Sequence, residues 1–226
     1  PLAFVFIVIF LVVTGAFTFY FGRFYERGQA DLQSFFVFHP FLYLFFVPAI
    51  AMRLWAEERK TGTLELLMTL PITLFQAVIG KFLAAWAVLG IALLMTFPIW
   101  ITVNFLGNPD NGTIVAAYIG SFLLAGGFLA IGSCLSAVTR NQVIAFVVAV
   151  TVSFIFLFSG FPMVLNFFNG WMPQILIDTI ASFSFYEHFN AIVKGVIDLR
   201  DLVFFVAVIL FWLMANAIVL DMKKAD

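Results

Sequence analysis

Charged residues are scarce in this sequence. Asp, Glu, Lys and Arg together make up 10% of its 226 residues, against about 25% in soluble domains. Hydrophobic residues make up 64%, where about 45–50% is usual. A soluble fold could not cover so much apolar area with so few polar groups. The composition therefore excludes a soluble globular protein and predicts lipid as the solvent.

Neither sign of charge is in excess, because the formal net charge is -1. This balance excludes the basic surface that binding to nucleic acid requires. Cysteine is represented by Cys134 alone, within an apolar run. One cysteine excludes an intrachain disulfide, and we expect a packed thiol.

Motifs for nucleotide hydrolysis and metal binding are missing too. The sequence has no Gly-x-x-x-x-Gly-Lys-Ser/Thr phosphate loop, so the chain should not hydrolyse ATP by itself. Glu187 and His188 are adjacent, but no further Cys, His or Asp/Glu stands at ligand spacing. We therefore predict no catalytic residue, no metal and no cofactor bound by this chain.

Six apolar runs are long enough to cross a hydrocarbon core of roughly 30 Å as helices. They predict an all-α integral membrane protein with one transmembrane domain over residues 1–226. The chain starts at Pro1 without an initiator Met or a basic leader, so we expect residues upstream. The six predicted spans are Leu2 to Gly22, Phe35 to Met52, Phe82 to Asn104, Ile114 to Val138, Val143 to Leu165 and Leu202 to Leu220.

The basic residues lie in the connecting segments and divide the protein into two faces. The face with more Lys and Arg is expected to be cytoplasmic, together with both chain termini. Seven basic residues fall on that face: Arg53, Arg59, Lys60, Lys81, Arg140, Lys223 and Lys224. Four fall on the other: Arg23, Arg27, Lys194 and Arg200.

The loop after the second span carries the most specific pattern. Its charged residues, Arg53 to Lys60, are expected to end the span. Thr61-Gly62-Thr63 predicts a break, after which Thr63 caps a short amphipathic helix that stops at Pro71. Thr73 and Gln76 have the spacing of a capping box that opens the third span, and Lys81 is expected to reach the inner interface. An amphipathic helix of this kind can also simply rest in lipid headgroups.

This loop, with Gly62-Thr-Leu-Glu-Leu-Leu67 ended by Pro71, resembles the coupling loop of type-2 ATP-binding cassette (ABC) permeases. The resemblance extends over nearly the whole chain. It includes Tyr186-Glu-His-Phe-Asn190 and Gly195-Val-Ile-Asp-Leu-Arg-Asp201. The nearest likeness is to permeases of the gliding-motility and nitrous-oxide-reductase-maturation type. Such permeases usually have an interfacial helix before the first span, which is expected in the upstream residues.

The resemblance implies an exporter subunit in the inner membrane that works with two soluble ABC ATPases, which bind ATP and Mg. It implies a second permease copy or a related permease, and an extracytoplasmic partner protein is a further possibility. The short cytoplasmic helix would be a coupling helix seated in the ATPase. The residues that it assigns to the ATPase contact are Glu57, Glu58, Arg59, Thr61, Gly62, Thr63 and Glu65.

The segment from Asn166 to Asp201 is too polar and interrupted for another span. Pro173 can start a short helix, and an apolar stripe runs from Phe189 to Ile197. We predict a re-entrant hairpin of two short helices in the outer leaflet. The family resemblance implies an extracytoplasmic gate there, formed by Tyr186, Glu187, His188, Phe189, Asn190 and Asp198.

Two other functions stay open at this point. An intramembrane enzyme would need paired catalytic groups at membrane depth, and an ATP-independent secondary transporter would need ionisable residues along several spans. Polar residues in or near the spans are His39, Asn104, Ser153, Ser159, Asn166 and Asn216. His39 is the readily ionisable one, and a structural hydrogen bond is a better expectation for it than proton relay.

Overall fold

The structure is a computed structural model that describes residues 2–69, 71–168, 170 and 172–223, without the side chains of Leu2, Glu65, Leu67 and Met68. These residues form helices and loops, with no strand among them. A π-helical turn, Phe17–Phe21, continues the first helix. In chain order the α-helices are α1 (Leu2–Ala16), α2 (Gln33–Phe36), α3 (His39–Ala51), α4 (Arg53–Thr61), α5 (Thr63–Met68), α6 (Leu74–Leu94), α7 (Phe97–Leu106), α8 (Asn111–Val138), α9 (Gln142–Phe158), α10 (Pro162–Phe168), α11 (Gln174–Ser182), α12 (Phe185–Val193) and α13 (Leu199–Met222).

Five helical stretches are long and apolar enough to cross a membrane, and a bent pair makes a sixth. The five are Ala3–Phe21, Gln33–Thr61, Leu74–Leu106, Asn111–Val138 and Leu199–Met222. The sixth joins α9 to α10 across a bend of 83°. The prediction of an all-helical, multi-pass integral membrane protein is confirmed.

This bent pair is the fifth span in chain order. The bend corrects the prediction of one straight helix from Val143 to Leu165. The α9 helix ends at Phe158, and α10 begins at Pro162. Proline lacks a backbone N–H and disfavours helical geometry at the residue before it, so the helix stops in front of Pro162. Gly160 lies at the bend, where an added Cβ would be 2.6 Å from the Cβ of Ser184. Because Gly160 has no side chain, Ser184, the residue that caps α12, can pack against the bend.

The helices of the second and third spans are longer than predicted. The helix does not stop at Met52, because α4 continues it to Thr61, past the charged residues that were expected to end the span. The third span begins at Leu74 rather than Phe82. Its start is the predicted capping box: the Gln76 N–H donates to Thr73 Oγ1 at 3.2 Å, and the Thr73 N–H donates to Gln76 Oε1 at 2.9 Å.

The α8 helix is the centre of the fold and contacts α3, α4, α6, α9, α12 and α13. Small residues, among them Gly120, Gly127 and Gly132, allow this close packing. A Cβ at Gly132 would lie 2.5 Å from the Ala51 Cβ, and one at Gly120 would lie 2.8 Å from Ile192 Cγ2. Cys134 is buried here, as predicted.

The outer faces of the bundle are apolar. Along α13, Leu210, Phe211 and Met214 are each more than half exposed, and they lie on one side of the helix. Apolar surface of this extent on long helices is typical of contact with lipid.

The two ends of the bundle match the two faces drawn from charge. At one end, Lys60 and Arg140 line a common cavity. At the other end, a second cavity is lined by Asp31, Asp110 and Lys194. The structure therefore supports the grouping of the loops, while the assignment of one end to the cytoplasm stays a prediction.

Candidate functional site

The predicted coupling segment consists of α4 and α5, joined by a turn at Gly62. Gly62 has φ +74°, a left-handed conformation that glycine adopts without steric cost, and it ends α4. Thr63 is the first residue of α5 rather than the predicted cap before it. Its hydroxyl lies 3.4 Å from the Glu58 carbonyl oxygen and 3.0 Å from Thr61 Oγ1, so it helps to close the end of α4.

The α4 helix is fastened to α8 through Ser136. Ser136 Oγ accepts hydrogen bonds from the N–H groups of Trp55 (3.1 Å) and Ala56 (3.0 Å), and it donates to the Met52 carbonyl at 2.9 Å. Met52 itself provides no side-chain cap for α4. A serine from another helix therefore binds backbone groups in the first turn of α4.

A second connection to α8 runs through side chains near its C-terminal end. Trp55 Nε1 donates to Ser133 Oγ at 3.2 Å, and Asn216 Nδ2 donates to the same oxygen at 2.8 Å. Arg59 donates from Nη1 to the Ala137 carbonyl at 2.7 Å. Trp55, Ser133 and Asn216 are fully buried. The network joins α4, α8 and α13 at one place.

The α4 helix is also joined to α6, through Glu58 and Lys81. The Lys81 ammonium forms an ion pair with the Glu58 carboxylate, donates to the Leu54 carbonyl at 2.8 Å and lies 4.4 Å from the ring centroid of Trp55. Lys81 thus binds Glu58 and Leu54 of its own chain, and its reach to the inner interface stays a prediction.

The predicted ATPase-contact residues fall into two groups. Glu57, Thr61, Gly62 and Thr63 are exposed. Glu58 and Arg59 are partly buried and bind other parts of this chain. The side chain of Glu65 lies outside the described residues. The exposed group is the part of the segment that is free to meet another protein.

The predicted gate segment is formed by α10, α11 and α12, one short helix more than predicted. The α11 helix begins directly after Pro173, as predicted. The α12 helix begins at a Ser184 cap and packs on α8, α9 and α13. The apolar stripe was drawn too far: α12 stops at Val193, and Gly195 (φ +85°) turns the chain so that Val196 is 63% exposed.

The six predicted gate residues do not form one cluster. Phe189 is buried, and the Tyr186 ring packs on Phe161 with ring centroids 4.8 Å apart. Glu187 is exposed, with its N–H donating to Ser184 Oγ. The remaining contacts are as follows: His188 binds Asp201, the Asn190 carbonyl accepts from the Lys194 N–H, and Asp198 caps α13 through the Arg200 N–H.

Comparison with known proteins identifies the family. Residues 2–220 match the sequence model of the family described as ABC-2 family transporter protein. The chain belongs to this family. No curated protein matches it. The resemblance to type-2 ABC permeases is thereby confirmed, and the protein is a multi-pass membrane subunit of an ABC transporter. Membership of the family implies a partner ABC ATPase.

The permease has a buried polar cluster around His39 in its second span. His39 Nδ1 lies 2.7 Å from Ser121 Oγ, and the Tyr43 hydroxyl lies 2.8 Å from the same oxygen. All three side chains are buried. His39 therefore makes a structural hydrogen bond between α3 and α8, the alternative that the sequence favoured. Its Nε2 has no partner among the described residues.

Sequence reasoning missed the serines of α8 and the role of Asp201. Ser121, Ser133 and Ser136 were not among the polar residues singled out, although each bonds to a residue about 80 positions away. The signal was present, because three hydroxyls lie in a helix rich in glycine and alanine. Asp201 is 6% exposed in the first turn of α13, and a carboxylate so placed indicates an ion pair or hydrogen bond.

Proposed function

We propose that this permease couples ATP hydrolysis by two separate soluble ATPase subunits to export across the inner membrane. The chain itself binds no cofactor in this proposal, because ATP and Mg belong to the ATPases. Both chain termini face the cytoplasm, and a second permease, identical or related, completes the membrane unit. The exposed residues of α4 and α5 form the contact with the ATPase.

The observation that carries this proposal is the fastening of α4 to the membrane helices. A coupling segment can transmit movement only if it moves together with the spans that open and close the pathway. The α4 helix continues the second span without a loop, and Ser136, Ser133 and Lys81 tie it to α8 and α6. A push on α5 therefore reaches the helix at the centre of the bundle.

The fastening of α4 to α8 and α6 is compatible with two functions: transport of a substrate, and transmission of force to an extracytoplasmic protein. Export of a substrate is the function proposed here. Phe at 32 positions suits an apolar or amphipathic substrate, although lipid contact and helix packing use the same residue.

The alternative of an intramembrane enzyme has less support. Among the described residues, no group of three or more His, Cys, Asp or Glu side chains could hold a metal ion. The buried His39 forms a hydrogen bond with Ser121, and Tyr43 bonds the same hydroxyl, so that the cluster joins α3 to α8. Nothing in this cluster activates a nucleophile toward a substrate, since its Ser121 hydroxyl already serves both neighbours.

Co-purification with assay of ATP hydrolysis tests the proposal. The full-length permease is expressed in its native host and purified with and without a wash that strips soluble subunits, and each preparation is assayed in lipid nanodiscs. We expect no hydrolysis by the permease alone, because it has no phosphate-binding loop, and two ATPase copies for each permease pair in the complex. Hydrolysis by an ATPase-free preparation, or failure of any ABC ATPase to co-purify, would contradict it.

A further inference from the structure

His188 lies where α11, α12 and α13 meet. Its ring stacks on Phe204 of α13, with centroids 3.9 Å apart and planes 20° from parallel, and its side chain is 13% exposed. The ring joins the turn between α11 and α12 to the start of α13. No part of the proposed ATPase coupling uses it.

Both ring nitrogens of His188 face hydrogen-bond acceptors. Nδ1 lies 2.6 Å from Asp201 Oδ1, and Nε2 lies 3.0 Å from the Ser182 carbonyl oxygen. A carbonyl oxygen has no proton to give, and an ionised carboxylate has none either. Both contacts are hydrogen bonds only when the His188 and Asp201 pair carries two protons. With one proton fewer, a nitrogen lone pair would face an oxygen lone pair.

Asp201 is the ionisable group that meets the ring. It lies on α13 and is 6% exposed. Three other carboxylates on the surrounding elements are Asp198, Asp178 and Glu187. Asp198 of α13 accepts from the Arg200 N–H, and Asp178 of α11 accepts from Gln174 Nε2. On α12 itself, the carboxyl carbon of Glu187 lies against Gly160.

We propose that His188 and Asp201 form a proton-dependent clamp that holds the α11–α12 turn against α13. Both are positioning residues. At acidic pH the imidazolium donates from Nδ1 to Asp201 and from Nε2 to Ser182. As the pH rises, the Nε2 proton passes to water, the bond to Ser182 is lost and the bond to Asp201 stays. The turn is therefore tightest at acidic pH and loosens on the alkaline side.

Amide hydrogen exchange on the purified full chain in nanodiscs tests the clamp. Protection factors for peptides that cover residues 182–188 are measured from about pH 5 to about pH 9, the range around the ordinary titration of histidine. We expect protection to fall by about tenfold as the pH rises, the usual effect of losing a hydrogen bond to a charged group. This fall in protection should be absent in His188→Gln, because glutamine does not change charge with pH. It should be retained in the control Glu187→Gln.

An equal pH profile in the wild type and His188→Gln would overturn the proposal. If His188→Gln does not fold, nitrogen NMR of the wild type decides instead, since the chain has two histidines and His39 is buried in a span. A ring that carries protons on both nitrogens at acidic pH and loses one on raising the pH supports the clamp. One proton at every pH, with Asp201 ionised throughout, contradicts it. Neither result depends on the partner ATPase.

Discussion

Hydroxyl groups of single residues hold together the end of the permease at which α4 meets α8. Ser136 makes three hydrogen bonds to the start of α4, whereas Ser153 on α9 is equally buried and its hydroxyl has no partner among the described residues. The two serines share size, burial and helical backbone. They differ in what the hydroxyl binds, which makes them a matched pair.

Ser136→Ala is expected to destabilise the protein by about 1–3 kcal/mol, because three buried hydrogen bonds between α8 and the start of α4 are lost. Ser153→Ala is expected to be neutral or stabilising, since it removes a buried hydroxyl that forms no bond. Thermal unfolding in the same detergent, followed by circular dichroism, gives the comparison. Equal melting temperatures for the two variants would show that Ser136 is not a fastening point.

At the scale of helices, features set by neighbouring residues could be predicted from the sequence, whereas contacts between distant positions could not. The capping box at Thr73 and Gln76 and the helix start after Pro173 follow from residues within one turn, and both are confirmed. The bond between Trp55 and Ser136 joins positions 81 apart, so no local pattern predicts it. The continuation of the helix past Met52 was missed for the same reason, because Ser136 of α8 binds the start of α4 from a distant position.

The close approach of α8 to α3 depends on Gly132. We expect Gly132→Ala to destabilise the bundle by about 1–3 kcal/mol through overpacking, because the new methyl would lie 2.5 Å from the Ala51 Cβ. Gly15→Ala is the control, since it lies on α1 with nothing within 4 Å of an added Cβ. Chemical unfolding of both variants measures the difference. Gly132→Ala as stable as Gly15→Ala would mean that α3 can move aside at no cost.

At the scale of the whole molecule, composition decided the fold class, and the family match confirms it. The order of the long apolar helices, five to six in the described residues, was predictable from apolar runs because lipid demands about 20 such residues for each helix. The candidate site was predictable only in part. The resemblance named exposed residues together with Glu58 and Arg59, which bind their own chain, and a sequence pattern cannot distinguish the two groups. Contact of any of these residues with an ATPase stays a prediction.

The topology of the molecule predicts which loops face the cytoplasm. In a full-length Cys134→Ala background, Lys60→Cys and Arg140→Cys should react with an impermeant thiol reagent from the cytoplasmic side alone. Asn111→Cys and Lys194→Cys should react from the other side. All four positions are exposed, so access is not limiting. Labelling of positions 60 and 111 from the same side would refute the arrangement.

The central claim is that the exposed surface of α4 and α5 binds the ATPase. Glu57 is its best probe, because it is exposed and makes no ion pair among the described residues, whereas Glu58 pairs with Lys81. The mixture of acidic and basic residues on this segment also suits a protein better than lipid headgroups. A control needs the same charge change at the other end, and Glu26, 72% exposed in a surface pair with Arg23, provides it.

The deciding measurement is the affinity of the ATPase for the wild type, Glu57→Lys and Glu26→Lys at equal membrane expression, with stimulation of ATP hydrolysis as a second readout. The account predicts that Glu57→Lys weakens binding by about 1–3 kcal/mol and lowers the stimulation, through like-charge contacts or partners left unpaired. Glu26→Lys should bind as the wild type does. Normal binding and stimulation by Glu57→Lys would contradict the account and move the coupling contact elsewhere.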